Sequence, residues 1–200
     1  MLRTLRDQSL FSGIIACVCL AVVRPGLEAQ QVACAPGEPN VDAPDGIRQF
    51  HFLIGQFDIR GRRWMGEEWS PPGPLSYWEG EYILGGFAIA DYYYNQPPEQ
   101  GGTGRGVNVR MFDPESGIWT MSWIHSNTPT TVLLLEAEER DGLMWMYQMD
   151  DPETRFVGRK VSFHIVDEDT WYRLDEFSED GGQTWRKTLR LDATRRSCGA

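Results

Sequence analysis

Short runs of alternating side chains, separated by turn residues, occupy the chain from Phe57 to Asp192. Successive side chains of a β-strand point to opposite faces, so such runs are typical of strands. About ten of them follow one another, and the connections between them lack the helical periodicity of crossover helices. The sequence therefore predicts an all-β domain, an antiparallel barrel or sandwich of about 8–10 strands.

The predicted strands share apolar side chains and are bounded by Gly, Pro, Asp or Asn. Their ranges are 57–60, 80–84, 87–94, 107–112, 119–125, 131–138, 143–149, 159–166, 171–177 and 184–192. Asp141-Gly142 lies between two of them and favours a tight hairpin, because both residue types tolerate positive φ. The helical spacing of Ile47, Phe50 and Leu53 predicts one short helix before the first strand.

The aromatic content narrows the choice between barrel and sandwich. The chain has eight Trp, nine Phe and seven Tyr, which excludes a disordered chain because such large rings must be buried. Both faces of many strands carry large residues, which favours a barrel with a filled or ligand-binding interior. The formal net charge of −10 argues against a nucleic-acid partner, which requires a basic face.

The first 29 residues have the pattern of a secretory signal peptide. Arg3 and Arg6 precede an apolar run over residues 10–23, and Ala29 supplies a small residue at the expected cleavage site. The run is shorter than the ~20 residues of a membrane-spanning helix, so we expect no integral span. We predict export to the periplasm or the exterior, with a buried first helix of the domain as the alternative.

Signal cleavage would leave two cysteines, Cys34 and Cys198, near opposite ends of the exported chain. Such a pair predicts a disulfide, provided that the two termini are neighbours, and two free thiols are the alternative. The residues up to Cys17 loosely resemble a lipobox, so a lipoprotein anchored through Cys17 is a second possible localisation. Residues 30–46 are rich in Pro and Gly and indicate a linker, followed by one domain over 47–196.

The segment Phe50–Ile59 combines a short helix, a glycine, an aromatic residue and a strand. The stretches that follow it in order are Gly80–Phe87, Val109–Trp119 and Phe177–Trp185. Together they resemble a bacterial family of lipocalin-like (calycin-type) barrels without assigned function, although Phe57 stands where Trp is commoner. The resemblance covers residues 47–195 and implies an antiparallel barrel with a helix at one end and an interior cavity, but no fixed activity.

Metal and cofactor binding have little support in the sequence. A haem-binding branch related to the family uses a His near the last strand, and residues 184–195 contain none. His51, His125 and His164 are far apart and lack the spacing of metal ligands. We therefore predict neither a metal nor another cofactor.

Four charged residues lie within predicted strands rather than in turns: Asp91, Arg110, Arg173 and Glu176. Burial of such a charge is costly unless it is paired with another charge or with a polar ligand. Arg110 and Arg173 are therefore the candidates for binding an anionic group. The alternative is an Arg110–Asp91 ion pair that only closes the bottom of the barrel.

The leading functional prediction is a barrel that binds a small apolar or amphiphilic molecule in its interior. The predicted ligand-binding residues, besides Arg110 and Arg173, are Met121, Trp123, His125, Trp145 and Tyr147. One alternative is an isomerase, cyclase or hydrolase in the same cavity, with His125 and either Asp91 or Glu176 transferring protons. The other is a structural or interaction module with a filled barrel.

Residues Ser178–Trp185 match the Asp-box hairpin that recurs in sialidase-type propellers. A propeller repeats its blade at least four times, whereas this chain contains one copy of the motif. The motif therefore predicts a structural hairpin rather than a sialidase site.

Overall fold

The computed structural model describes residues 37–148 and 158–197. The signal peptide predicted for residues 1–29, and with it Cys17, lies outside the described residues. The same is true of Cys34 and Cys198, the two cysteines of the predicted disulfide.

Ten strands and three short 3₁₀ helices make up the described part of the chain. The strands are β1 (Gly55–Arg63), β2 (Leu75–Ile83), β3 (Ala88–Tyr94), β4 (Gly104–Asp113), β5 (Ile118–His125), β6 (Val132–Arg140), β7 (Leu143–Gln148), β8 (Arg159–Ile165), β9 (Thr170–Phe177) and β10 (Arg186–Arg195). The helices are Asp45–Leu53, called the N-terminal helix below, Leu84–Gly86 and Pro98–Gln100.

The strands form one closed antiparallel barrel in which each strand pairs with its neighbours in the sequence. The barrel closes between β1 and β10, where Phe57 lies opposite Arg195 and Arg63 lies opposite Leu189. Closure pairs the edge strands that an open sheet would leave with unpaired backbone groups. The predicted all-β antiparallel barrel of about 8–10 strands with a short N-terminal helix is confirmed.

The hairpin between β6 and β7 shows how local sequence sets the strand connections. β6 ends at Arg140 and β7 begins at Leu143, so Asp141 and Gly142 form the whole turn. Their φ angles are 55° and 73°, both in the left-handed region. Asp and Gly tolerate this region better than other residues, and the turn twists in the same sense as the strands. The predicted hairpin is confirmed.

The N-terminal helix closes one end of the barrel. Its Phe50 ring is fully buried and contacts the Trp119 ring of β5 at 5.0 Å and the Phe163 ring of β8 at 5.7 Å between centroids. The helix also approaches β2, where a Cβ at Gly80 would overlap the carbonyl of Leu53. Glycine at this position therefore allows the helix backbone to lie directly against the barrel wall.

Candidate functional site

A cavity of about 220 Å³, partly open to solvent, lies in the barrel toward the end that is remote from the N-terminal helix. Its lining residues come from β2 to β10 and are mostly apolar. They are Trp78, Tyr93, Asn108, Trp123, His125, Leu133, Leu135, Met146, Arg159, Arg173, Leu189 and Leu191. The barrel is therefore hollow at this end, whereas buried side chains such as Phe50, Trp119 and Phe163 pack against one another at the helix end.

Strand alternation produces the apolar part of this lining. Leu133 and Leu135 occupy alternate positions of β6, and Leu189 and Leu191 do the same on β10, so each pair faces the interior. On the neighbouring strands β4 and β5, a Cβ at Gly106 would overlap the Trp123 ring. The glycine there leaves space for this indole within the cavity wall.

A buried ionic cluster interrupts the apolar lining. Arg173 and Asp175 are alternate residues of β9 and both face the interior. Arg173 Nη2 donates to Asp175 Oδ2 at 3.2 Å, and its Nε lies 3.0 Å from Oδ1 in an ion-pair contact. Arg159 of β8 adds a second cation, because its Nη2 donates to Asp175 Oδ2 at 2.5 Å. The Asp175 carboxylate therefore forms ion pairs with two guanidinium groups, those of Arg159 and Arg173.

The environment of Arg173 is unfavourable for its charge. Burial lowers the pKa of Arg173, the Asp175 carboxylate opposes this shift, and the positive charge of Arg159 adds to it. An arginine side chain nevertheless stays protonated in proteins. The cluster therefore carries an excess positive charge against the cavity.

Two further polar atoms of the cavity wall have no hydrogen-bond partner among the described residues. They are the indole Nε1 of Trp78 and the amide Oδ1 of Asn108. Both residues are almost fully buried, with relative exposures of 2% and 3%. Buried polar groups are normally hydrogen-bonded, so this donor and this acceptor each lack a partner that the described residues do not supply.

Below the cavity, Asp91 and Arg110 form a fully buried ion pair. Arg110 Nε donates to Asp91 Oδ2 at 2.5 Å, and Asn108 Nδ2 donates to Asp91 Oδ1 at 3.1 Å. The guanidinium carbon of Arg110 also lies 4.6 Å from the centre of the Phe50 ring of the N-terminal helix. Arg110 therefore contacts the helix side of the barrel, as in the ion-pair alternative raised by the sequence.

His125 lines the outer part of the cavity and is half-buried. Its Nδ1 accepts a hydrogen bond from the backbone N–H of Asn127 at 3.1 Å. The two carboxylates considered as its catalytic partners make other contacts: Asp91 binds Arg110, and Glu176 lies 3.3 Å from Lys160. The structure thus shows no carboxylate bonded to His125 in the described part of the chain.

The other aromatic and Met residues predicted to bind the ligand have different positions. Met121 is buried below the cavity, where its sulfur accepts from Arg110 Nη1 at 2.8 Å. Trp145 and Tyr147 alternate with Met146, which lines the cavity, so they point to the outer face of β7. Their rings stack on one another at 6.5 Å on that face. Of the seven predicted ligand-binding residues, the cavity brings together Trp123, His125 and Arg173.

Four cavity residues with polar side-chain atoms were not among the sequence candidates: Trp78, Tyr93, Asn108 and Arg159. Asn108 shares a strand face with Arg110, and this alternation was visible in the sequence. Trp78 follows Tyr77, another large residue, which conceals the alternation of β2. Arg159 becomes significant only through its pairing across β8 and β9, where Arg159 lies opposite Phe177 and Val161 opposite Asp175.

In the described ranges, no three His, Cys, Asp or Glu side chains cluster closely enough to bind a metal ion. No helix among the same residues has the length and apolar character needed to cross a membrane.

A comparison of the sequence with protein-family models gave no match, and a comparison with curated proteins gave no significant match. The closed antiparallel barrel is compatible with the lipocalin-like fold that the sequence motifs suggest.

Proposed function

We propose that this protein is an exported, lipocalin-like barrel that binds a small, largely apolar molecule in its interior. The cavity at the end remote from the N-terminal helix is the observation that carries this proposal, because a solid barrel would leave no room for a ligand. Its leucines, Met146 and two indoles supply apolar walls. Its few polar groups can fix the orientation of a ligand, as in known small-molecule sites.

The size of the cavity sets the size of the ligand. A volume of about 220 Å³ corresponds to roughly seven water molecules at about 30 Å³ each. A compact molecule with roughly ten non-hydrogen atoms, such as an eight-carbon chain with one polar head, fits this space better than a sterol or a long-chain lipid. We therefore choose C8 compounds as probes.

Filling the cavity from its outer side tests the proposal. Leu133 lines the cavity and is half-buried, whereas the adjacent Leu134 is 58% exposed on the outer face of β6. We expect Leu133→Trp to weaken binding of octan-1-ol and octanoate at least tenfold, because the larger ring occupies the ligand volume. Leu134→Trp, the matched control, should bind both probes like the wild type. Isothermal titration calorimetry measures both affinities.

Thermal melting of the two variants shows whether each remains folded. The proposal is overturned if neither C8 probe binds the wild type, or if Leu133→Trp binds both as tightly as the wild type does. It is also overturned if Leu134→Trp loses binding while Leu133→Trp keeps it, because the site would then lie outside the barrel.

A further inference from the structure

The cavity wall carries positive charge in a protein whose net charge is −10. Arg159 and Arg173 both line the cavity, and no Asp or Glu lines it among the described residues. The carboxylate of Asp175 lies beside them and is 3% exposed as a residue, so it neutralises one of the two guanidinium groups. The cluster as a whole therefore retains one positive charge.

The largely buried Arg173 shares the single carboxylate of Asp175 with the partly exposed Arg159. An anion in the cavity would therefore offset part of the cost of burying the Arg173 charge. One negative charge on the ligand would make the cluster of two guanidinium groups and one carboxylate electrically neutral. A planar carboxylate suits it best, because arginine binds carboxylates through two parallel N–H···O contacts. A neutral head group would leave the excess charge uncompensated.

Trp78 provides a further donor next to the cluster. The guanidinium carbon of Arg173 lies 6.0 Å from the centre of the Trp78 ring, and the indole Nε1 has no partner among the described residues. A carboxylate has about four lone-pair sites, so it can accept from an arginine and an indole together. An indole N–H is only a donor and would find no partner in an alkyl chain.

Within the described part of the chain, Asn108 has an unpaired hydrogen-bond acceptor, whereas Trp78 has an unpaired donor. Its Nδ2 donates to Asp91 Oδ1 at 3.1 Å, which fixes the orientation of the amide and leaves Oδ1 as an acceptor. This Oδ1 is buried and has no donor among the described residues. A hydroxyl group on the ligand would supply one.

We propose that the ligand of this cavity is a small hydroxylated carboxylic acid, with its carboxylate at Arg159 and Arg173 and its hydroxyl at Asn108. The alkyl part then lies against the leucines of β6 and β10. This inference rests on the proposed function and assigns the ligand class of the same cavity. It is a binding proposal and involves no chemical step.

The anionic group is tested with three probes on the whole protein by calorimetry at pH 7: octan-1-ol, octanoate and 3-hydroxyoctanoate. We expect octanoate to bind at least tenfold more tightly than octan-1-ol, and 3-hydroxyoctanoate to bind at least threefold more tightly than octanoate. Arg159→Gln should remove the preference for octanoate over octan-1-ol, because it removes the excess positive charge at the cavity. Arg159 is suited to substitution because its side chain is 36% exposed and Asp175 keeps Arg173 as a partner.

Arg186→Gln is the matched control, because Arg186 pairs with Glu179 at the protein surface. It should preserve the preference for octanoate. Asn108→Ala should abolish the gain from the hydroxyl group, with thermal melting used to confirm that this variant folds.

The outcomes separate the two proposals. If octan-1-ol binds the wild type as tightly as octanoate does, the anionic ligand is ruled out and the proposed function stands. Equal affinities for octanoate and 3-hydroxyoctanoate rule out the hydroxyl contact. A loss of the octanoate preference in Arg186→Gln as well would show that general surface charge, and not the cavity cluster, attracts the anion. Absence of binding by all three probes overturns the proposed function itself.

Discussion

At the scale of single residues, Asp91 and Arg110 show how this barrel accommodates charge in its interior. Both side chains have no solvent exposure. Asp91 binds Arg110 and Asn108, while the guanidinium of Arg110 lies over the Phe50 ring. The pair thus links β3, β4 and the N-terminal helix between the cavity and the packed end of the barrel. Its contribution depends on both partners being present, because either charge alone would be buried without compensation.

We expect Arg110→Met to destabilise the protein by about 3–5 kcal/mol, because it leaves the Asp91 carboxylate buried and unpaired. The double variant Asp91→Asn/Arg110→Met should recover most of this loss, since neither charge remains. Urea unfolding measures the free energy of each variant.

Arg62→Met provides the comparison for this experiment. Arg62 lies 3.2 Å from Asp192 on the outer surface, and both side chains are about one-third exposed. We expect a loss below about 1 kcal/mol, because exposed ion pairs are screened by solvent. If Arg110→Met cost no more than Arg62→Met, the buried pair would have no structural role.

At the scale of secondary-structure elements, the connection between β9 and β10 is stabilised by its own side chains. Asp180 accepts from the backbone N–H of Thr184 at 2.8 Å and from the Thr184 hydroxyl at 2.6 Å. The Ser178 hydroxyl donates to Asp180 at 2.8 Å, and Trp185 Nε1 donates to the carbonyl of Gly182 at 3.0 Å. The structure therefore accounts for the Asp-box motif as a hairpin, as the single copy in the sequence predicted.

These hydrogen bonds make the hairpin sensitive to acid. They stabilise the carboxylate and lower the pKa of Asp180 to about 2, from an ordinary value of 3.8. A lowered folded-state pKa adds stability that is fully present above pH 4 and is lost as the pH falls toward 2. We expect Asp180→Asn to be less stable than the wild type at pH 7, with the difference shrinking between pH 4 and pH 2.

Chemical unfolding at several pH values measures this difference. Other carboxylates with lowered pKa values, such as Asp113 and Asp167, titrate in both proteins and cancel in the comparison. A stability difference that stays constant from pH 7 to pH 2 would contradict the role assigned to the Asp180 carboxylate.

The strands, the N-terminal helix and the hairpins also show which structural features can be predicted from sequence patterns. Alternation and turn residues predicted the β6–β7 hairpin, the N-terminal helix and most strands, because these features depend on neighbouring residues. β2 begins at Leu75, earlier than the predicted start at Gly80, since the adjacent Tyr77 and Trp78 hide its alternation. The Arg159–Asp175–Arg173 cluster depends on the register between β8 and β9, and a single sequence does not specify that register.

At the scale of the whole molecule, barrel closure brings both ends of the described chain to the helix side. Near the start, the backbone N–H of Asn40 donates to the carbonyl of Gly86 at 3.1 Å, between β2 and β3. Near the end, the backbone N–H of Arg196 donates to the carbonyl of Gln56 in β1 at 2.8 Å. β1 pairs with β2 in this region, where Gly55 lies opposite Gly80, so the two ends leave the barrel on the same side.

The disulfide between Cys34 and Cys198 stays a prediction from the sequence, because both cysteines lie outside the described residues. If the disulfide forms, we expect both cysteines of the protein to resist alkylation until a reductant is added, as measured by intact mass. Closing a loop of about 165 residues stabilises a protein by up to about 5 kcal/mol, mainly by restricting the unfolded chain. Cys34→Ser, Cys198→Ser and the double variant should therefore lose the same stability, because each removes the same bond. Two cysteines that alkylate without reductant would exclude the disulfide, and unequal losses among the variants would show that the thiols act separately.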